Sequence, residues 1–428
     1  LRKGTGALFE DCGLGKTLQQ LVWAENVLRH TNRPVLVLTP LAVSHQTVRE
    51  GEKIGVAVKQ LRYGVDVATT DERIIITNYD RLHHFFPEEF SGIVLDESSV
   101  IKNSDAKTFT RLTEAFRTTP FKLCASATPS PNDYTELGTH AEFLGVCSKA
   151  EMLAEFFCHD GGDTANWRLK GHARTAFWKW IAGWAALVRK PSDLGYENEG
   201  YDLPSLVTVQ HTIAADPGKA KEQGLLFAEP AKTLTERRGA RKDSLTERVK
   251  QCAEVVASEQ SEPWIIWCEL NAESEALAKA IPLAVEIRGN QDAEVKERKL
   301  IAFGNGEIRI LITKASMTGH GLNWQHAARM AFVGVSDSFE QTYQAIRRCY
   351  RFGQKRPGHV HFFASELEGE VVRNLKRKEQ EAQAMGEALS VETRETVRAE
   401  VQGTKRQTNE WNPSKKVVIP SWLQTSNH

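Results

Sequence analysis

Paired cysteines, long apolar runs and an excess of either charge are all missing from this chain, and each absence narrows what it can be. Lys and Arg total 55 against 55 Asp and Glu, so the formal net charge is zero. No chain-wide basic field is available to hold a polyanion, and any phosphate-binding surface has to come from local patches. The seven cysteines, at 12, 124, 147, 158, 252, 268 and 349, include no CxxC pair. That is the usage of a reduced, cytoplasmic protein, and Cys147 with Cys158-His159 lacks the second pair a zinc site needs. The longest apolar candidate, Trp180 to Val188, falls far short of the ~20 residues that cross a bilayer. There is no signal-peptide pattern and no repeat at solenoid spacing. The first residue is Leu1 and a strand follows almost at once, as expected of a fragment that has lost an N-terminal segment.

Within those limits the 428 residues, 41% hydrophobic and 26% charged, have ordinary globular composition, with length for two or three domains. Short apolar runs alternate with helical stretches up to about residue 145. Strand candidates are Ala7-Leu8-Phe9, Val35-Leu36-Val37-Leu38, Ile74-Ile75-Ile76, Ile93-Val94-Leu95 and Lys122-Leu123-Cys124. Near-continuous apolar strands separated by helices predict a parallel sheet covered on both faces. The habit returns over 206–366, with strands at Trp264–Cys268, Ile308–Ile312, Ala331–Val335 and His359–Phe363. Ser244-x-x-Glu247 and Ser338-x-x-Gln341 read as capping boxes ahead of helices. Between the two regions, 146–205 is rich in Trp and Phe and reads as a helical insertion or linker. Phe177, Trp180 and Trp184 share one helical face and are expected in a core, whereas Trp178 lies off that stripe and is expected to be exposed. The expected fold is therefore α/β: lobe one over 1–145, the insertion over 146–205, lobe two over 206–366, and a mixed-charge helix with a polar tail over 367–428.

Chemistry enters at Glu10-Asp11-Cys12-Gly13-Leu14-Gly15-Lys16-Thr17, which follows a strand and opens a helix over Thr17–Arg29. A phosphate loop needs that context. Gly13 and Gly15, with Leu14 between them, would let the backbone approach phosphates and aim N–H groups at them. Lys16 would neutralise β/γ-phosphate charge, the Thr17 hydroxyl would hold Mg²⁺, and the helix dipole would add to both. Glu10 stands where the pattern has its first glycine, so the match is relaxed. Such a loop needs an acidic partner at the end of a neighbouring strand, and Ile93-Val94-Leu95-Asp96-Glu97 supplies one. Asp96 would hold Mg²⁺ through water, and Glu97 would orient and polarise the attacking water.

In order along the chain, these motifs resemble those of the superfamily-two helicases. Thr39-Pro40 is similar to motif Ia, Asp96-Glu97-Ser98-Ser99 to the DEAD/DEAH box, and Ser126-Ala127-Thr128-Pro129 to motif III. Thr318-Gly319-His320-Gly321-Leu322-Asn323 looks like motif V, and Gln344 through Gln354 like motif VI. Within that superfamily Gly13-Leu14-Gly15-Lys16-Thr17-Leu18-Gln19, Ile101-Lys102-Asn103 and the ending Arg351-Phe352-Gly353-Gln354-Lys355 resemble the Swi/Snf-type translocases. The resemblance implies two tandem RecA-like P-loop lobes, with ATP and Mg²⁺ bound and hydrolysis in the cleft between them. Arg348 and Arg351, three apart on one helical face, would then act as arginine fingers. Gly319, Gly321 and Gln344 would touch the nucleotide from the same lobe, and Ser126 and Thr128 would couple its state to lobe movement. One departure bears on coupling: Ser99 stands where the acidic box usually ends in His or Asp.

By the same resemblance, Thr39, Thr77, Asn78 and Thr318 would face the nucleic-acid backbone, being short polar side chains suited to phosphate oxygens. Arg237-Arg238-Gly239-Ala240-Arg241-Lys242 is the clearest basic patch, read equally well as a phosphate surface or a solvated loop. The implied function is a nucleic-acid-stimulated ATPase moving along double-stranded DNA. Two other readings stay open: a strand-separating DNA or RNA helicase, and a clamp in which ATP only switches affinity. The full hydrolytic set Lys16, Glu97, Arg348 and Arg351 speaks against the clamp. Small stand-alone proteins of this type occur in phages and prophages, so DNA and phage or bacterial replication and repair proteins are the expected partners, and no membrane is.

Overall fold

The computed structural model describes residues 3–40, 43–103, 105–130, 133–160, 163–214, 239, 241–317, 323–334 and 338–366, with isolated positions beyond, up to 394. Strands β1 (Thr5–Glu10), β2 (Val35–Thr39), β3 (Val58–Gln60), β4 (Ile74–Asn78), β5 (Gly92–Asp96) and β6 (Phe121–Ser126) lie in one sheet. Beyond a hairpin of β7 (Phe157–Asp160) and β8 (Asp163–Leu169), β9 (Ala185–Val188) returns to that sheet. Its order is β3-β4-β2-β5-β6-β1-β9, and every pair is parallel. β2, β4 and β5 are buried at every position, which is why their sequences are apolar without alternation. Helices α1 (Lys16–Thr31) and α2 (Ser44–Lys53) cover one face, where Leu21, Ala24 and Val27 pack on Val37, Ile76 and Val94. The other face takes α3 (Lys107–Ala115), α4 (Leu137–Leu144), α5 (Lys149–Phe156) and α6 (Arg174–Ala182), among them Phe109, Phe143 and Phe177.

The second sheet runs β10-β15-β14-β11-β13-β12, again all parallel. Its strands are β10 (Leu206–Ile213), β11 (Trp264–Trp267), β12 (Ala284–Glu286), β13 (Ile310–Thr313), β14 (Arg329–Phe332) and β15 (Gly358–Ser365). α7 (Leu245–Ser258) and α8 (Asn271–Ala280) pack on one face, α9 (Ala293–Gly304) and α10 (Phe339–Ile346) on the other. Ser244 does open α7, but the capping box is not made: its hydroxyl accepts from Arg248 Nε at 3.0 Å. Arg248 in turn forms a fully buried ion pair with Glu273 at 2.8 Å, and the second Glu273 oxygen accepts from the Glu269 and Leu270 backbone. Those added hydrogen bonds are what make a buried pair tolerable. Ser338 does cap α10, accepting from the Gln341 N–H at 3.3 Å.

Residues 146–205 depart from the expected helical insertion. α5, capped by a reciprocal Ser148–Glu151 box, leads into the β7–β8 hairpin, and β9 pairs with β1 as an edge strand of the first sheet. Trp178 is fully buried rather than exposed, with Tyr134 edge-on at 5.1 Å and Phe177 at 4.8 Å. α6 lies under surrounding chain on more than one side, so a residue off its main stripe still meets protein. Trp167, on the hairpin, is the exposed tryptophan of this region, at 36%. No helix among the described residues is long and apolar enough to cross a membrane. The C-terminal helix and tail expected over 367–428 lie almost wholly outside the described residues.

Truncating Trp178 to Ala should leave a large cavity under lobe one and cost about 3–5 kcal/mol. The denaturant midpoint of the first unfolding transition should fall accordingly. A midpoint like that of the unaltered protein would mean that Trp178 is not in the core.

Candidate nucleotide site

In the first sheet the C-terminal ends of β1 and β5 open onto a cavity between the lobes, the usual ligand side of such folds. β1 delivers the glycine loop there, with Gly13 at φ 94° and Gly15 at φ 82°, left-handed values that suit glycine. No side-chain cap closes the N-terminus of α1, so its first N–H groups line the cleft as an anion site. The Lys16 ammonium donates to the carbonyl oxygens of Glu10 at 2.7 Å and Asp11 at 3.0 Å, within the loop it belongs to. Glu10, in the place of the pattern's first glycine, accepts from Gln19 at 2.8 Å. Burial raises its pKa, opposed by Lys16 and that hydrogen bond.

β5 delivers the acidic pair. Asp96 Oδ1 accepts from Gln20 Nε2 at 2.7 Å, and its carbonyl accepts from the Tyr79 hydroxyl at 2.6 Å. Glu97 has φ 53°, a left-handed conformation that costs a non-glycine residue energy and recurs at functional sites. Burial raises its pKa most; Lys16, Arg348 and a hydrogen bond from Ser126 pull it down, and Glu340 pushes it up. β6, between β5 and β1, ends in Ser126, whose hydroxyl also accepts from the Thr128 N–H at 3.0 Å.

Lobe two supplies the far wall. α10 ends at Ile346, so Arg347, Arg348 and Arg351 sit on the turn after it, not on the helical face expected for Arg348 and Arg351. All three nevertheless line the same cavity of about 220 Å³ as Gly13, Lys16 and Thr17. Burial lowers the Arg348 pKa to about 10 and lowers that of Arg351, yet both stay cationic at neutral pH. Four buried polar atoms at this cavity lack a hydrogen-bond partner: Glu97 Oε2, Gln344 Nε2, Arg348 Nε and Arg351 Nε. Unpaired buried polar groups are costly, and a ring of them around a cleft marks where a polar ligand fits. Donors outnumber the one acceptor, so the ligand that fits is an anion. The Thr17 hydroxyl and the Asp96 carboxylate also line the cavity, a hard-oxygen pair of the kind Mg²⁺ prefers.

Contacts invisible to motif reading join the lobes. Glu340, in the first turn of α10, accepts from Lys102, and from Thr128 Oγ1 at 3.4 Å. Asp11 accepts from Arg347 and Tyr343, each at 2.7 Å. Asn323, the last residue of the stretch similar to motif V, lines the cavity, as do Gln46 and Glu50, which no motif singled out. The expected nucleic-acid contacts fare less well. Thr39, Thr77 and Asn78 are buried: Thr39 bonds Ser44 at 2.9 Å, and the Asn78 side-chain oxygen accepts from the Arg81 N–H at 3.1 Å. Thr77 Oγ1 is sealed in without a partner. Thr318, Gly319 and Gly321 lie outside the described residues, as do Arg237, Arg238 and Ala240 of the basic run. Arg241 of that run is buried, its carbonyl accepting from Arg248.

Replacing Glu340 with Gln removes a negative charge beside Glu97 and should let that carboxyl ionise at lower pH. The acid limb of the ATP-turnover profile is expected to move to lower pH in Glu340→Gln. A limb that stays put, or moves up, would show that Glu340 does not bear on Glu97.

Comparison with known proteins agrees with this geometry. The family model of the SNF2-related domain matches residues 2–157, and that of the helicase conserved C-terminal domain matches 247–353. The TATA-binding protein-associated factor MOT1 of Saccharomyces cerevisiae is 28% identical over 179 residues, 36% of this chain. The match spans 10% of that relative's length. The Sulfolobus solfataricus SWI2/SNF2 ATPase core, solved in complex with dsDNA, aligns over 93% of this chain and 91% of its own, at 19% identity and a TM-score of 0.40. With the two domain families in tandem and their ends meeting at one anion-shaped cleft, the chain belongs to the Swi/Snf-type, helicase-like ATPases of superfamily two.

Proposed function

We propose that the chain hydrolyses ATP in this cleft and uses the lobe movement to travel along double-stranded DNA. The observation that carries the reading is the convergence of unpartnered polar atoms from both lobes, Glu97 on one side and Arg348, Arg351 and Gln344 on the other, on one cavity above the glycine loop. A site assembled from two bodies can make hydrolysis conditional on their closure.

The loop N–H groups and Lys16 take the β- and γ-phosphates. Thr17 and Asp96 would hold Mg²⁺, which when bound would offset the charge on those phosphates. Gln20 fixes the Asp96 carboxylate. Glu97, kept from wandering by Ser126, turns the attacking water toward the γ-phosphate and accepts its proton. Arg348 and Arg351 place positive charge where the transferring phosphoryl group gathers negative charge. Lys102 and Thr128, both held to Glu340, carry the change at the γ-phosphate into α10 and so into lobe two. That contact gives coupling a route although Ser99 replaces the usual last residue of the box.

Four substitutions test the site. Lys16→Ala should weaken nucleotide binding, whereas Glu97→Gln should bind ATP and hold it unhydrolysed. Arg348→Ala and Arg351→Ala should keep most binding and lose ~10³ or more in turnover. Near-normal turnover in Lys16→Ala and Glu97→Gln would remove the assignment.

Support for a duplex track comes from the SNF2-related family match over the first lobe and the Swi/Snf-like Ile101-Lys102-Asn103 and Arg351–Lys355 segments. Backbone-directed grip carries little base information and weakens with salt. Displacement of a third strand from a triplex, without unwinding of a forked duplex, is the expected pair of results. Efficient fork unwinding would instead establish a helicase. Buried Trp178 is excluded as its separating pin; exposed Trp167, its ring tilted against that of His159 with centroids 4.0 Å apart on the hairpin, is the residue whose loss should then abolish unwinding.

A further inference from the structure

Three arginines crowd one end of the cleft, and their bonding sets one apart. Arg348 and Arg351 each keep an unpartnered Nε. Arg347 is spent on protein. Its Nη2 donates to Asp11 Oδ2 at 2.7 Å and its Nη1 to the Tyr350 carbonyl at 3.4 Å, with the guanidinium 5.2 Å from the Tyr343 ring centre and 5.7 Å from that of Tyr350. Asp11 is equally committed. Oδ2 takes Arg347, while Oδ1 accepts from the Tyr343 hydroxyl at 2.7 Å and from the Cys12 N–H at 2.7 Å. The two charged side chains are only 15% and 16% exposed, so their attraction is little screened.

We propose that Asp11, Tyr343 and Arg347 form a clasp across the cleft that positions Arg348 and Arg351 over the phosphate loop. The proposal rests on the nucleotide-site reading above. Asp11 lies in the glycine loop of lobe one, two residues before Gly13. Arg347 is the immediate neighbour of Arg348, on a turn with little slack. The Arg348 carbonyl accepts from the Trp324 N–H at 2.8 Å, and Gln354 Nε2 donates to the Cys349 carbonyl at 3.2 Å and that of Ala327 at 3.1 Å. Fixing Arg347 to the loop therefore fixes the two arginines that follow. The turn also sits tight on the loop: a Cβ built on Gly13 would come within 2.8 Å of Phe352 Cβ. Burial works to lower the Arg347 pKa, but Tyr343 and Asp11 outweigh it and the net shift is upward, so the charge persists. Neither Asp11 nor Arg347 is offered as a catalytic residue; both are positioning residues.

The test uses Asp11→Asn, Arg347→Ala, the double variant, and Arg347→Lys, which keeps the charge. Single-turnover hydrolysis of bound ATP should slow on the order of 10²-fold in Asp11→Asn and in Arg347→Ala, because small misplacements of reacting groups cost that much. Nucleotide affinity should hardly change. The double variant should be no slower than the slower single, since one interaction is lost in each. Arg347→Lys should recover part of the rate. Additive losses, or affinity falling in step with rate, would overturn the positioning role. Small-angle scattering of the same variants reads the clasp without any catalysis. An increased radius of gyration in Arg347→Ala supports it, and an unchanged radius in both single variants overturns it. Lys16→Ala and Glu97→Gln, run in parallel, show separately whether the nucleotide site itself is correctly assigned.

Discussion

A charge buried between two lobes is costly unless a partner is brought close to it. Taking an ion out of water costs several kcal/mol even after relaxation, and only close pairing offsets it. Arg347 and Arg348 are adjacent, with Arg351 one turn on, and all three line the same cavity. Asp11 neutralises the first of them from the far lobe. Lys102 and Glu340 do the same at the other end of α10, beside Glu97. Which of these charges are matched sets where spare hydrogen-bonding capacity remains in the cleft.

The sheets make that matching possible. A parallel strand carries its C-terminal end to one edge, and β5, β6 and β1 are neighbours in the first sheet although β1 begins at Thr5 and β6 only at Phe121. The acidic pair, Ser126 with Thr128, and the glycine loop are thereby set side by side. Thr39 and Asn78 also end strands of that sheet, paired in register on β2 and β4. They are buried there, each with a hydrogen bond to the turn that follows, so strand-end position alone does not expose a residue to a ligand.

Legibility in the sequence followed burial. β2, β4 and β5 are dry on both faces and stand out as unbroken apolar runs. β10, half exposed along its length, is written as Leu206-Val207-Thr208-Val209-Gln210-His211 and carries no such run. β9 was hidden for the opposite reason, since its Ala185-Ala186-Leu187-Val188 continues an aromatic stretch that has helical period. Trp178 shows the limit of stripe reasoning: the period identifies the face that packs against one neighbour, and α6 has several.

The motif residues were legible because backbone chemistry demands them locally. Left-handed φ at Gly13 and Gly15, a lysine opening α1 and a carboxylate pair closing β5 are set within a few residues of chain. What sequence alone could not decide was which side chains are spent on the protein and which are left for a ligand. Arg347, Arg348 and Arg351 are alike as letters. Only a partner 336 residues away makes Arg347 a strut, while the other two keep an unpartnered Nε at the cavity. Hydrogen-bond capacity is finite, and folding, which brings distant donors and acceptors within 3 Å, is what allots it.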